Sequence, residues 1–315
     1  MDAQGKQLAA LSFCAFTVPA VLILPAVGWL WAGLATLLAA VLLGSLLCLR
    51  KAPLAENVAS LSLGKTLLIA LVLWNLIALG MAARQLCESF PTAHPSPLIG
   101  LLLLLLASFS GKKRSLPVAA ICFFLLLGLY GLFFAFALPD LNVDFLQPAA
   151  TPSISLLTAA LLPFNVVWLC QGKRKLPVFW LLGGVLFAVA AAMVTAGILS
   201  APVTAQTEFP FYEAAKSITL LGSIQRLEPL VSAGLCLGGF CLLSLLCSVN
   251  ETLIFAISPQ RKNLSALINF LAGGALCLLS NYFSGNIIAL GTTIFWGIFP
   301  FILLIVVNQK NIKKI

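Results

Sequence analysis

The stretch LIGLLLLLLASFSGKKRSLPVAAICFFLLLGLYGLFFAFALPD, residues 98–140, consists of two long apolar runs separated by one basic cluster. A helix needs about 20 mainly apolar residues to cross a bilayer. Basic residues concentrate in the loops on the cytoplasmic side of a membrane. The stretch therefore predicts two membrane helices that are joined by a cytoplasmic loop at residues 112–114.

The composition extends this prediction to the whole chain of 315 residues. Hydrophobic residues make up 61% of the chain and charged residues only 9%, whereas soluble domains carry about 25% charged residues. The chain is therefore predicted to be an all-α polytopic membrane protein. Its net charge of +9 comes from short Lys and Arg clusters between apolar runs, which is the pattern of topology signals and not of a nucleic-acid-binding surface.

Ten apolar segments divide the chain, which we interpret as one permease-like domain over residues 1–315. The first segment continues past Pro25 into a second long run, so it is predicted to be a retained helix and not a cleaved signal peptide. The ten predicted transmembrane helices span approximately 7–27, 29–49, 64–88, 97–110, 115–138, 154–171, 176–199, 228–258, 264–283 and 286–307.

The distribution of charge predicts that both termini are cytoplasmic. With ten helices, 15 of the 18 basic residues fall on the side of the N-terminus, and only Arg84, Lys216 and Arg226 fall on the other. The outer side also carries six of the nine acidic residues. An incorrect helix count would have mixed these two sets, so the partition supports the count as well as the orientation.

The longest outer connection, residues 201–226, contains an amphipathic pattern after Pro210. Apolar side chains recur there at helical spacing, and Gly222 is predicted to end the helix. Two interpretations remain open, a helix that only covers the bundle and a gate or docking surface. The residues expected to have a structural or gating role are Pro210, Glu213, Lys216, Arg226 and Glu228. Arg226 and Glu228 are hypothesised to form an ion pair at the entrance of the following helix.

Enzymatic chemistry has no visible residues in this sequence. Its single histidine, His94, lies in an outer loop without a nucleophilic or acidic partner in a recognisable motif. The nine cysteines lie almost entirely within apolar runs and form no CxxC pair, so they are expected to be packing residues. We therefore expect no enzymatic activity, no cofactor, no metal site and no disulfide framework.

Two proline-containing segments predict a site for a small ligand. Segment 1 reads FCAFTVPAVLILP, with a break expected in the middle of the membrane at Pro19, and segment 6 reads TAALLPFNVVWLC, with a break expected at Pro163. A proline removes one helical hydrogen bond, and broken membrane helices expose backbone groups that bind polar ligands. Breaks in helices 1 and 6 build the central site of the LeuT-type inverted-repeat bundle. The candidate ligand-binding residues are Thr17, Val18, Pro19, Ala20, Asn75, Pro163, Phe164 and Asn165.

The stretch FPFYEAAKSITLLGSIQRLEPLVSAGLCLGGF, residues 209–240, resembles the GerAB-type B subunit of endospore germinant receptors. That family belongs to the amino acid–polyamine–organocation (APC) transporter superfamily. The resemblance rests on a proline, an acidic and a basic residue, Ser-Ile, an Arg-x-Glu unit and a glycine-bearing helix. These features correspond here to Pro210, Glu213, Lys216, Ser217, Ile218, Arg226, Glu228, Gly238 and Gly239.

Two further stretches agree with the family pattern, residues 138–148 (LPDLNVDFLQP) and residues 19–25 (PAVLILP). The resemblance implies a nutrient-sensing subunit in the spore inner membrane or cell membrane of a spore-forming bacterium. Its implied partners are a small, amino acid-like nutrient, an A-type membrane subunit, a C-type lipoprotein and the lipid bilayer. By analogy, the ligand carboxylate would meet backbone amides near residues 18–21 at the positive end of a half-helix.

The sequence also departs from the family pattern in two places. Gln225 replaces the first acidic residue of the usual Glu-Arg-x-Glu unit, and Asn165-Val166 replaces the Gly-Glu that often follows Pro-Phe in the sixth helix. Two alternatives therefore stay open beside the sensor hypothesis. The first is a working amino acid permease or exchanger of the same superfamily, and the second is a structural membrane subunit that binds no ligand.

Overall fold

A computed structural model of the chain describes residues 3–49, 53–89, 97–146, 155–170, 178–218, 227–279 and 285–312. Within these ranges the chain is almost entirely helical. The α-helices are α1 (Ala3–Leu22), α2 (Leu24–Val27), α3 (Trp29–Leu49), α4 (Leu54–Ala59), α5 (Gly64–Glu88), α6 (Pro97–Ala137), α7 (Ser155–Leu161), α8 (Val166–Leu169), α9 (Val178–Leu199), α10 (Ala201–Gln206), α11 (Pro210–Ser217), α12 (Glu228–Ile257), α13 (Lys262–Leu279), α14 (Gly285–Thr292) and α15 (Phe299–Ile312).

Seven helices in the described ranges are long and apolar enough to cross a membrane. One of them, Leu98–Asp140, covers 43 residues, and two shorter apolar helices span Ser155–Leu169 and Leu264–Leu279. The long helix changes direction at Gly111, whose φ of 62° and ψ of 164° are not helical. The predicted number of ten transmembrane helices therefore stays a prediction, because it depends on counting this helix twice and on both short helices crossing.

The bundle is organised around α12, which contacts α1, α5, α6 and α13. Three glycines of α12 allow this close packing, because each faces a different neighbour. A Cβ atom at Gly234 would lie 2.8 Å from the ring of Tyr130 in α6, and one at Gly239 would lie 2.8 Å from Leu86 in α5. A Cβ atom at Gly238 would lie 2.7 Å from Thr17 Oγ1 in α1. Close packing of this kind is typical of small residues in membrane helices.

The outward faces of the bundle are apolar. Leu38 of α3 is 61% exposed and Phe124 of α6 is 72% exposed, although a soluble protein exposes such side chains only singly. α3 packs mainly against α9, and most of its leucines face away from the protein. This distribution matches a bundle whose surrounding solvent is lipid, as the composition predicts.

The first proline-containing segment differs from the expected break in the middle of the membrane. α1 continues through Pro19, and the amide of Ile23 donates a hydrogen bond to the carbonyl of Pro19 at 2.9 Å. The interruption falls at Ile23, between α1 and α2. Pro25 supplies the physical reason, because it has no N–H to pair with the carbonyl four residues earlier.

The second proline-containing segment changes from an α-helix to a 3₁₀ turn at the position of its proline. α7 passes into a 3₁₀ turn at Leu162–Asn165, and α8 follows at Val166–Leu169. Pro163 occupies the second position of this turn, and its missing N–H removes a hydrogen bond that would continue α7. The backbone remains helical but tighter, so its amides and carbonyls are less exposed than in an unwound break.

Candidate functional site

A cavity of about 170 Å³, the central cavity, lies between helices of the bundle and is partly open. It is lined by five parts of the chain: α1, α5, α7 with its 3₁₀ turn, α12, and α14 with the π-helix that follows it. The residues that line it are Val18, Pro19, Ile23, Ala78, Met81, Ala82, Gln85, Ser155, Thr158, Ala159, Leu162, Leu242, Leu246, Gly285, Ile288, Thr292 and Trp296.

The cavity wall is apolar with a few neutral polar groups. Among the described lining residues, the polar side chains belong to Gln85, Ser155, Thr158, Thr292 and the indole of Trp296, and no lining side chain is ionisable. The Thr292 hydroxyl donates a 2.7 Å hydrogen bond to the carbonyl of Ile288. Its oxygen can therefore still accept a hydrogen bond from a ligand.

Two of the four candidate residues in the first segment line this cavity. Val18 and Pro19 form part of its wall. Thr17 is fully buried and donates a 2.6 Å hydrogen bond to the carbonyl of Cys14. Ala20 is also fully buried and packs in a second apolar cluster with Leu156 of α7.

The backbone amides expected to meet a ligand carboxylate near residues 18–21 are not free in this structure. These residues lie within the continuous helix α1, where each amide is bonded to the carbonyl four residues earlier. Pro19 itself has no amide hydrogen. At α1, a ligand in the cavity therefore meets the side chains of Val18 and Pro19 and not free backbone amides.

The three candidate residues of the sixth segment shape the turn beside the cavity. Their neighbour Leu162 lines the cavity, and the Asn165 amide group donates a 3.1 Å hydrogen bond to the Leu162 carbonyl. Phe164 is 1% exposed and packs toward Phe301 of α15. Pro163 lines a separate void of about 20 Å³ against α3 and α9.

Asn75 does not line the cavity but contacts a residue that does. Its side-chain oxygen accepts a 2.8 Å hydrogen bond from the indole nitrogen of Trp296, which is 221 residues away in the sequence. Asn75 is fully buried and Trp296 is 3% exposed. Asn75 therefore lies behind the cavity wall and contacts the lining residue Trp296.

Sequence reasoning missed several lining residues, although a signal for them exists. Ala78, Ala82 and Gln85 follow one another at spacings of four and three residues along α5, and Gly285, Ile288, Thr292 and Trp296 repeat the pattern in the last membrane segment. Such spacing defines one face of a helix. It does not show which of several faces encloses a cavity, so these residues could not be selected from the sequence.

The described candidates from the predicted outer connection are not among the residues that line the cavity. Glu213 and Lys216 form a 2.6 Å ion pair on α11, with side chains 44% and 36% exposed. Pro210 is buried at the start of that helix. Glu228 begins α12, and its Oε1 atom is buried without a hydrogen-bond partner among the described residues. Arg226, its predicted partner, lies outside the described residues, as does His94.

A second, more polar cavity of about 510 Å³ lies near the start of α1. Its walls include charged side chains, which the central cavity does not have in the described ranges. Lys112 donates through its backbone amide to the Glu251 carboxylate at 3.0 Å and through its side chain to the Leu169 carbonyl at 3.3 Å. The charged residues that line it are Glu56, Lys112, Lys113 and Glu251.

The described residues contain no group of three or more His, Cys, Asp or Glu side chains able to hold a metal ion. None of the nine cysteines forms a disulfide, and Cys48 is the exposed one among them. Interior cysteines in such a bundle act as small apolar residues.

No protein-family model matches the chain, and a search of curated proteins finds no matching sequence. The fold, however, matches a solved structure with a TM-score of 0.63 and 13% sequence identity, over 95% of this chain and 77% of the other. That structure is Mhp1, a nucleobase-cation-symport-1 family transporter, in a closed conformation with bromovinylhydantoin bound. The chain is thus a multi-pass membrane protein with the fold of a transporter.

Proposed function

We propose that this protein binds a small nutrient in its central cavity and acts as the sensing B subunit of an endospore germinant receptor. The observation that supports ligand binding is the cavity of about 170 Å³ that α1, α5, α7, α12 and α14 line within a transporter fold. The resemblance of residues 209–240 to the GerAB-type subunits supports the finer role. The A-type membrane subunit and the C-type lipoprotein are the partners that this role implies.

The volume of the cavity limits the size of the ligand. Pockets for drug-sized molecules have about 300–1,000 Å³, whereas an apolar cavity of about 150 Å³ admits benzene. A cavity of about 170 Å³ suits a molecule with the size of a small amino acid. This size agrees with the amino acid-like ligand that the sequence resemblance implies.

The chemistry of the wall limits the charge of the ligand. Moving a net charge into an apolar site without a counter-charge is unfavourable, and no described lining residue is ionisable. An uncharged molecule therefore fits best, and a zwitterionic amino acid fits only if its ammonium and carboxylate groups are both hydrogen-bonded. Its polar groups would meet Gln85, Ser155, Thr158 and Thr292, while its apolar part would contact Leu242, Leu246 and Ala159.

Binding is tested by thermal unfolding of the purified protein in the presence of amino acids, nucleosides and sugars. A ligand at 100 times its Kd stabilises the native state by about 2.7 kcal/mol. Ala82→Leu places a larger side chain in the cavity wall and should abolish the shift. Ala135→Leu changes the exposed face of α6 and should retain it. If no compound stabilises the wild-type protein, the ligand-binding proposal is wrong, and the hypothesis of a structural subunit takes its place.

A second candidate function, an amino acid permease or exchanger, is favoured by the transporter fold itself. Uptake of a radiolabelled ligand into proteoliposomes distinguishes the two functions. A sensor should bind the ligand without moving it across the membrane. Robust uptake in the absence of partner subunits would contradict the sensor proposal and support the permease.

A further inference from the structure

The wall of the central cavity includes a short π-helix, Thr293–Ile298, between α14 and α15. π-helical turns are rare, and they occur frequently at functional sites. Trp296 lies within this turn and lines the cavity. Its indole is the largest side chain in the described wall, so its position controls how much of the interior remains open.

Asn75 holds the indole of Trp296 in place. The Trp296 Nε1–H donates a 2.8 Å hydrogen bond to Asn75 Oδ1, and both residues are buried. In this interior the indole N–H has Asn75 as its acceptor, and an unpaired buried donor is unfavourable. Rotation of the ring away from Asn75 would break the bond, so this contact selects one orientation of the ring.

The residues next to Asn75 and Trp296 also contact each other. Trp74 stacks on Phe295 with ring centroids 5.4 Å apart and an interplanar angle of 16°. Gly291 makes room for the Trp74 ring, because a Cβ atom there would overlap it. Two adjacent residues of α5 thus contact two adjacent residues of the π-helix. These two contacts align α5 with the last membrane segment at the level of Trp296.

We propose that Trp296, positioned by Asn75, sets the largest ligand side chain that the central cavity accepts. The inference rests on the proposed ligand binding and specifies the part of that site that selects by size. Trp296 would contact the ligand directly. Asn75 would act only through Trp296, as a positioning residue.

The test measures the dissociation constants of glycine, alanine, valine, leucine and phenylalanine for the purified full-length protein. The wild-type protein should bind the smaller members and discriminate against leucine and phenylalanine. Trp296→Leu removes most of the indole volume and should tighten binding of these two by at least about 10-fold, since a single methylene in an apolar pocket already changes discrimination by about 10- to 200-fold. Trp180→Leu is the control, because Trp180 packs against Phe13 and Phe123 and not in the cavity wall.

The role of Asn75 is tested by coupling. Asn75→Leu should relax the size limit in the wild-type background, because the indole loses its acceptor. In a Trp296→Phe background, which has no N–H to hold, the same substitution should have no effect on the size limit. A purely structural role of Asn75 would instead lower the stability of both backgrounds and leave the size preference unchanged.

The outcomes separate the two proposals. If the wild-type protein binds none of the five amino acids, the amino acid-binding proposal is wrong and this inference with it. If the wild-type protein binds small members but Trp296→Leu keeps the same upper limit, only the inference is overturned. The inference alone is also overturned if the wild-type protein binds phenylalanine as tightly as it binds alanine. A Trp296→Phe variant checks folding if Trp296→Leu is unstable, and it should shift the limit in the same direction by a smaller factor.

Discussion

Asn250 of α12 donates a 3.0 Å hydrogen bond to the side-chain oxygen of Asn269 in α13, and Asn269 in turn donates to the carbonyl of Cys247 at 3.3 Å. Both side chains are buried, with exposures of 0% and 1%. This polar contact joins two mainly apolar helices. Hydrogen bonds between membrane helices contribute about 0.6 kcal/mol on average, but a buried polar group left without its partner costs about 1–3 kcal/mol.

We therefore expect Asn269→Leu to destabilise the protein by about 1–3 kcal/mol, because it leaves the Asn250 amide without an acceptor. The double variant with Asn250→Leu should be less destabilised than the sum of the two single variants. Thermal unfolding in detergent, analysed as a double-mutant cycle, measures this coupling. Additive effects would show that the two side chains do not interact in the folded protein.

Gly238 packs so closely against α1 that an added methyl group at this position is predicted to destabilise the protein. A Cβ atom there would lie 2.7 Å from Thr17 Oγ1 and 3.1 Å from the Val18 side chain. Gly238→Ala should destabilise the protein by about 1–3 kcal/mol through overpacking. Since Val18 lines the cavity, this variant should also bind the ligand more weakly.

Gly128→Ala is the matched control for this substitution. Gly128 is also helical, and nothing lies within 4 Å of a Cβ atom placed there. Alanine has the higher helix propensity, so the control should be neutral or stabilising by up to about 1 kcal/mol. Equal effects of the two substitutions, measured as thermal midpoints, would contradict the close approach of α12 to α1.

Attachment of α11 to the bundle is predicted to depend on one apolar side chain. Phe211 is 1% exposed, and its ring lies 4.6 Å from that of Phe133 in α6. Phe211→Ala should cost about 3–5 kcal/mol, as truncation of a buried phenylalanine usually does. Faster amide hydrogen exchange in residues 210–217 would identify local release of the helix.

Lys216→Ala is the comparison on the same helix. It removes the partly exposed ion pair with Glu213, and exposed pairs contribute about 0–1 kcal/mol. The two variants should therefore differ by several kcal/mol. If the lysine variant releases α11 as strongly as the phenylalanine variant, charge and not apolar packing holds this helix. The proposed pairing of Arg226 with Glu228 stays a separate prediction, and a double charge reversal that restores function would support it.

The predicted orientation can be tested by thiol labelling. Ser62, after α4, and Glu208, before α11, are both exposed and fall on opposite sides in the predicted topology. In a Cys48→Ser background, an impermeant maleimide added to intact cells should label Glu208→Cys and not Ser62→Cys. Inverted vesicles should give the opposite result, because the face that carries Ser62 is then outside. The reverse labelling pattern would show that the termini are not cytoplasmic.

Much of the architecture could be predicted from apolar runs and prolines. The boundaries of α3 and α5 follow from runs of apolar residues between charged or turn-forming ones, because lipid requires every backbone polar group to be bonded within a helix. Pro163 predicts the position of the 3₁₀ turn, because its missing N–H interrupts the α-helical hydrogen bonds only at that point. The break expected at Pro19 was misplaced, because the helix there continues to Ile23 and the disturbance depends on Pro25 as well.

The candidate site could be predicted only in part. Val18 and Pro19 line the cavity, but Asn75 contacts Trp296 and not the open space. A polar residue within an apolar run signals a hydrogen bond without identifying its partner. The partner lies 221 residues away, so no local pattern could connect the two.

By itself, the sequence determined that this protein is a bundle of membrane helices, because its composition leaves lipid as the only suitable solvent and its helices must satisfy their own backbone groups. Only the tertiary structure decided which helix faces enclose the cavity and which polar side chains bond to each other. Helical periodicity defines the faces of each helix. Their pairing depends on close packing between distant segments, as at Gly238 against Thr17 and at Asn75 with Trp296.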